Sequence, residues 1–294
     1  MNDMTSGKGV DTVPNTDQPQ GTGSIGRLLL DAGKISPADA EKIIRHQRQS
    51  GQRFGEAALQ LGLVKPEDIQ YALAQQFDYP YLLPGQGNFS PELVAAYYPY
   101  SEQVENLRAL RTQLLLRWLH TGHKALCFTS VMDKEGVSYQ TANLAVVFSQ
   151  LGERTLLIDA NLRHPRQHHI FNLGNRAGLS ETLVGRAKNT VCKIPAFVDL
   201  SVLPAGAIPP NPAELLARNT FGELLRELAD LYDIILIDAP TLASYADAQN
   251  IAALAGGAVF VVRQDHTRMA QLETAKKILQ GTGAQLVGAV LNHF

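Results

Sequence analysis

The chain has 294 residues, and its 26 Lys+Arg against 28 Asp+Glu leave a formal net charge of −2. That length supplies one large domain or two modest ones with ample core, and the 45% hydrophobic content is globular. The near-neutral balance excludes a sequence-blind nucleic-acid binder, which needs a basic surplus.

Residues 1–23 carry almost no apolar side chains. They cannot bury enough surface to offset the entropy of ordering, so a disordered tail is expected, with no charged-then-apolar leader. Residues 24–83 form a small all-α unit with an internal repeat. Residues 24–47 align with residues 53–76, 29 positions further on. Gly26 then meets Gly55, Gly33 meets Gly62, Ile35 meets Val64, Pro37 meets Pro66, Asp39 meets Asp68 and Gln47 meets Gln76. Each copy reads as a helix, a glycine stop, a short turn and a second helix opened by proline. Residues 84–100 hold three prolines, two glycines and Tyr97, Tyr98 and Tyr100, and read as a linker.

Residues 101–119 predict a helix with Leu107, Leu110, Leu114 and Leu115 on its apolar side. Glu105, Arg108 and Arg111, spaced by three, form one charged strip. Such a strip is either a solvated face or a contact in which one protomer's glutamate meets its neighbour's arginines.

From residue 101 onward, strand-length apolar runs alternate with helical patterns, the sign of a parallel α/β sheet. Residues 124–129 predict a strand, 130–138 a loop, and 139–151 a helix stopped by Gly152. Strand, loop and helix in that order place backbone N–H groups and a positive helix end around phosphates. Two further strands, 155–159 and 233–238, end in Asp159 and Asp238, where Mg²⁺ is normally handled. The longest nearly apolar run, residues 251–262, is shorter than the ~20 residues of a membrane span. Cys127 and Cys192 lie in separate apolar stretches and read as buried free thiols of a reducing compartment.

Residues 101–294 resemble the bacterial tyrosine kinases of exopolysaccharide synthesis, P-loop kinases that regulate polysaccharide chain length. The residues that carry the likeness are Glu105/Arg108/Arg111, Ala142-Asn143-Leu144-Ala145, and the block from Leu157 to Arg163. Gly178-Leu179-Ser180, Ala205-Gly206 followed by Pro209-Pro210-Asn211-Pro212 and Glu214-Leu215-Leu216, the block from Tyr232 to Pro240, and the block from Val287 to Asn292 complete it. The resemblance implies a P-loop parallel sheet flanked by helices over 101–294, with ATP and Mg²⁺ as cofactors. It implies a phosphate loop at Gly136, Val137, Ser138 and Tyr139, and a catalytic metal site of Ser138, Asp159 and Asp238. It also implies homo-oligomers through Glu105, Arg108 and Arg111, and a cytoplasmic protein held at the inner membrane by a membrane-bound polysaccharide chain-length regulator. The repeat resembles the N-terminal domain of type II secretion ATPases. Some of those bind cyclic di-GMP, which points to Arg53, Gly55, Gly62 and Gln76; the first copy has Ser24 where that pattern places arginine.

The departures set the expected biochemistry. The family's loop ends Gly-Lys-Ser/Thr, and here it ends Gly136-Val137-Ser138. A charge-assisted hydrogen bond is worth ~1.5–3 kcal/mol, so ATP affinity is expected to fall by about one to two decades. Catalysis falls further, because the lysine also neutralises transition-state charge. Tyr139 adds bulk, and Asn161 stands where the family has a second aspartate. Autophosphorylating members carry a tyrosine-rich tail; here the last tyrosine is Tyr245, so that acceptor is expected to be absent. Two readings follow: a weakened ATP-dependent protein-tyrosine kinase, or a non-catalytic regulator docking on the membrane partner.

Overall fold

The structure, a computed structural model, describes residues 25–76, 81–82, 86–243 and 245–293. The expected tail and Ser24 lie outside the described residues. The chain divides into two compact units, Met1–Tyr79 and Pro80–Phe294.

In the first unit four helices follow the repeat: α1 (Ile25–Asp31), α2 (Pro37–Ser50), α3 (Phe54–Gln60) and α4 (Pro66–Gln76). Equivalent residues do equivalent work. Gly33 and Gly62 both sit at φ 65°, the left-handed geometry that ends α1 and α3. The Asp39 carboxylate accepts from the Ser36 N–H at 3.2 Å, and Asp68 accepts from the Lys65 N–H at 3.0 Å, so each copy closes the start of its second helix alike. Leu29, Ile35, Ile43, Ala58, Val64 and Ala72 form the core. A side chain on Gly26 would begin 3.0 Å from the Phe54 ring, which accounts for the glycine by packing.

The second unit opens with α5 (Val94–Tyr97) and α6 (Glu102–Arg117), followed by β1 (Ala125–Ser130), α7 (Val137–Ser149), β2 (Thr155–Asp159) and α8 (Gln167–Ile170). Then come α9 (Leu179–Leu183), β3 (Cys192–Lys193), β4 (Leu200–Leu203), α10 (Pro212–Leu216), α11 (Asn219–Leu231) and β5 (Ile234–Asp238). The unit ends with α12 (Asp247–Ala255), β6 (Gly257–Arg263), α13 (Met269–Gly281) and β7 (Gln285–Asn292). The sheet has seven strands in the order β3-β4-β2-β5-β1-β6-β7. Every pairing is parallel except β3 with β4, a short antiparallel edge.

Strand periodicity splits the core into two layers. Phe128, Leu157, Leu236 and Val261 point to the face covered by α6 and α7, where Leu107, Leu114 and Phe148 wait. Their neighbours Cys127, Ile158, Ile237 and Phe260 point to the other face, against Phe221, Ile251 and Leu279. Burial on both faces is why these strands read as unbroken apolar runs.

Two sequence expectations are corrected. The stretch read as a linker over 84–100 is, in its described residues 86–100, built into the second unit. Leu93, Ala95 and Ala96 are buried. Asn143 of α7 accepts from the Ala95 N–H and donates to the Glu92 carbonyl, each at 2.9 Å. The buried Tyr97 hydroxyl donates to the Gln86 carbonyl at 3.0 Å and accepts from the Phe89 N–H at 3.2 Å. Proline and glycine mark a path full of turns, but not whether that path is covered. Cys127 is buried as expected, whereas Cys192 is only half-buried on the β3 edge.

Candidate functional site

The site is assembled at the C-terminal ends of β1, β2 and β5. After β1 the chain turns through residues 131–136. Glu135 closes the turn: its buried carboxylate accepts from the Val131 N–H at 2.9 Å, the Met132 N–H at 3.0 Å and the Thr267 hydroxyl. Lys134 takes a left-handed φ of 62° on the exposed part of the loop. Gly136, φ 89°, caps α7, whose first residue is Val137. Val137 is 9% exposed and packs into the main core cluster, and Ser138 behind it is 8% exposed. The helix thus presents backbone N–H groups to the loop, with an aliphatic side chain in its first turn and no cation.

Asp159 and Asp238 are direct register partners across β2 and β5, and both are fully buried. Asp159 organises the turn that follows it, accepting the N–H groups of Asn161 at 3.3 Å, Arg166 at 3.0 Å and Gln167 at 2.9 Å. Burial pushes its carboxyl well above the usual range and the charge of Asp238 adds to this, while those N–H groups oppose it. Asp238 is raised by burial to about 6, with the Gln167 amide and the Ser138 hydroxyl pulling the other way. Gln167 joins the two acids: its side-chain amide donates to Asp238 Oδ2 at 2.7 Å and to the Ser138 carbonyl at 3.1 Å. Asp238 Oδ1 is buried and has no hydrogen-bond partner among the described residues.

Asn161 caps the turn by accepting from the His164 N–H at 3.1 Å. Arg163 forks onto the buried Asp247 at 2.7 and 3.3 Å and lies 4.0 Å over the Tyr245 ring. Tyr139, next to Ser138, is half-buried; burial raises its phenol to about 12, and the charge of Glu92 adds to the shift.

The remaining candidate residues lie elsewhere. Glu105 and Arg108 pair with each other on α6, and Arg111 donates to the Val147 carbonyl of α7 at 2.8 Å. In the first unit, Arg53 precedes α3, Gly55 is buried in it, Gly62 follows it, and Gln76 is the last residue of α4. Sequence reasoning passed over Glu135, Gln167 and Asp247. Each is a polar residue whose partners come from distant segments, and the one available signal was the position of Gln167 just after the block beginning at Asp159.

The donor set fits a magnesium ion. A hydroxyl, one carboxylate oxygen with unmet bonding capacity and a second carboxylate on the adjacent strand are what Mg²⁺ takes from protein when phosphates supply the rest. Among the described residues no cluster of three His, Cys, Asp or Glu forms a metal cage independent of a ligand.

Strand, glycine-capped helix and paired aspartates on neighbouring strand ends define an α/β protein of the P-loop class. The family described as cellulose biosynthesis protein BcsQ matches residues 123–282. The tyrosine-protein kinase YwqD of Bacillus subtilis is 37% identical over 201 residues, 68% of this chain and 85% of that protein. The putative tyrosine-protein kinase CapB of Staphylococcus aureus is 35% identical over 195 residues, 66% of this chain and 86% of that protein. The solved kinase domain of the Escherichia coli tyrosine kinase ETK superposes with a TM-score of 0.66 at 30% identity, covering 68% of this chain and 79% of that domain. The chain belongs to the bacterial tyrosine kinase family.

Proposed function

We propose that the protein works in exopolysaccharide synthesis as a member of this family that holds nucleotide weakly. The observation that carries the reading is Val137, an aliphatic residue packed into the core at the first position of α7. The matching family model, described as a cellulose biosynthesis protein, supports the polysaccharide setting. Phosphates would rest against the backbone N–H groups around Gly136 and Val137, and Mg²⁺ would take the Ser138 hydroxyl and Asp238 Oδ1, with Asp159 behind. When bound, the metal neutralises charge on the terminal phosphates. Without a lysine at 137, one charge-assisted bond is missing on the opposite side.

The same observation favours a second reading, a regulator in which binding without phosphoryl transfer reports nucleotide state to a membrane-bound chain-length regulator. In either reading membrane contact runs through a partner; no described helix is long and apolar enough to cross a membrane. Assembly of copies through Glu105, Arg108 and Arg111 belongs to both. In the second reading the repeat unit also senses cyclic di-GMP, through Arg53, Gly55, Gly62 and Gln76, with Gly62 serving as the stop of α3 as well.

Calorimetry with ATP·Mg²⁺, and autophosphorylation of the native chain and of Val137→Lys, test the reading. Tighter binding by the variant, by about one to two decades, supports it; equal affinity overturns it. Phosphotransfer in the native chain selects the kinase, and binding without transfer selects the regulator.

A further inference from the structure

A cavity of about 790 Å³ opens beside β3, the edge strand of the sheet, and is walled on its other side by the segment that follows α8. No residue of the phosphate loop lines it, nor does Asp159, Gln167 or Asp238. Its floor is apolar: Phe171 and Ile194 are buried there, and Phe89 is half-buried. The Phe89 ring meets Phe171 edge-on at 6.1 Å and stacks on Phe197 at 6.3 Å, which holds it in one orientation.

The charge around this floor is of one sign. Arg176, Lys188 and Lys193 line the cavity and are exposed, and among the described residues no Asp or Glu lines it. Among the described residues none of the three cations forms an ion pair, although the chain as a whole carries a net charge of −2. Arg176 is also oriented. Its Nε donates to the Leu173 carbonyl at 2.9 Å and its Nη1 lies 4.0 Å from the Cys192 Sγ, and both of those residues line the cavity. Its remaining donors have no partner among the described residues. Cations gathered on one cavity without counter-charge draw in an anion, and a phosphate accepts several of their hydrogen bonds at once.

A bare anion would leave the apolar floor empty, whereas a ring that carries a phosphate fills both parts. The strand beside the cavity narrows the choice further. β3 has β4 on one side and no strand on the other, and an open strand edge takes an extended polypeptide. We infer that the cavity receives a phosphotyrosine side chain of another protein, its ring against Phe89 and its phosphate among Arg176, Lys188 and Lys193. A cleft of this size holds the side chain together with its neighbours in sequence. An aryl phosphate on a polypeptide is what a tyrosine kinase makes, so a member of that family that reads one is recruited to partners already phosphorylated. The inference uses nothing of the phosphate loop and stands apart from the nucleotide reading above.

The test is fluorescence anisotropy of the full chain with a labelled, glycine-flanked phosphotyrosine peptide, compared with the same peptide carrying phosphoserine or unmodified tyrosine. The phosphotyrosine peptide is expected to bind about tenfold more tightly than the phosphoserine peptide, the share of the ring, and the unmodified peptide not measurably. Replacing both exposed lysines, Lys188→Gln with Lys193→Gln, is expected to lower phosphotyrosine affinity about tenfold or more while ADP·Mg²⁺ affinity stays the same. Phe89→Leu brings the ratio of phosphotyrosine to phosphoserine affinity to about one. No binding, equal binding of the two phosphopeptides, or full affinity in the lysine variant overturns the inference. Displacement of the peptide by AMP or inorganic phosphate at concentrations as low as those of unlabelled peptide also overturns it, since the cavity then takes any phosphate. The comparison of peptides needs no variant, so it decides the matter even if Phe89→Leu fails to fold.

Discussion

Position 137 carries the largest consequence at the scale of the single residue, because its environment and its inferred duty conflict. Valine there is enclosed by apolar side chains. A lysine has to thread its stem through that packing and bring its ammonium out at the loop, where bound phosphate would balance it. Val137→Lys is therefore expected to destabilise the ligand-free protein by about 1–3 kcal/mol, the usual cost of an unmatched polar group in a core. Saturating ADP·Mg²⁺ is expected to restore most of that loss, because binding stabilises only the folded state. Thermal denaturation with and without ligand checks both halves; a variant as stable as the parent in buffer alone contradicts the packing argument. Asp238 offers a second test. Its folded pKa, raised by burial to about 6, lies above the usual 3.8 of an unfolded aspartate. The folded state thus binds more protons between those values, and stability falls as pH rises from about 4 to about 6. Asp238→Asn can still accept from Gln167 but has no proton to lose. Chemical denaturation across pH 4–7 is expected to show a flatter profile for the variant and a gain of about 1–3 kcal/mol at pH 7. A variant less stable than the native chain at pH 7 would contradict this.

At the scale of the element, the sequence was most legible where periodicity decides. Apolar runs buried on both faces announced β1, β2 and β5, and the repeat announced α1 to α4, because glycine at a left-handed stop and an aspartate three residues into the next helix are local chemistry. The aspartates at the ends of β2 and β5 were visible for the same reason. What stayed hidden was made by distance. Glu135 and Thr267 meet across the fold, and Gln167 reaches Asp238 from a turn that no spacing rule connects to it. The 86–100 segment was misread because its burial is decided by Asn143, 48 residues beyond Ala95. That contact is testable. Asn143→Ala leaves the Ala95 N–H and the Glu92 carbonyl without their partner beside α7. It is expected to cost about 2–4 kcal/mol, the loss of one buried and two half-buried hydrogen bonds with the desolvation left behind. Hydrogen exchange should show α5 and the amides near residue 95 opening first; uniform loss of protection across the sheet would mean that Asn143 holds the core and not this segment.

The whole molecule raises the question of how copies meet, and α6 sets its terms. Glu105 and Arg108 already pair along the helix, and Arg111 is committed to the Val147 carbonyl of α7. The strip is therefore an ordered face, with Arg111 serving both the fold and any neighbour. That makes Arg111→Ala a poor probe of assembly, since stripping the carbonyl at the end of α7 disturbs the monomer too. Glu105→Ala is a clean one. Its side chain is 60% exposed, and an exposed i,i+3 pair contributes only about 0–1 kcal/mol. The monomer's denaturation midpoint should hardly move, while the charge that a neighbouring protomer's arginines would meet is gone. Gel filtration at low salt is expected to show native protein in a larger species and Glu105→Ala shifted toward monomer. Raising salt to about 1 M, where the screening length falls to about 3 Å, should move the native protein the same way. An elution volume that neither the substitution nor the salt alters would leave the strip as a solvated helix face.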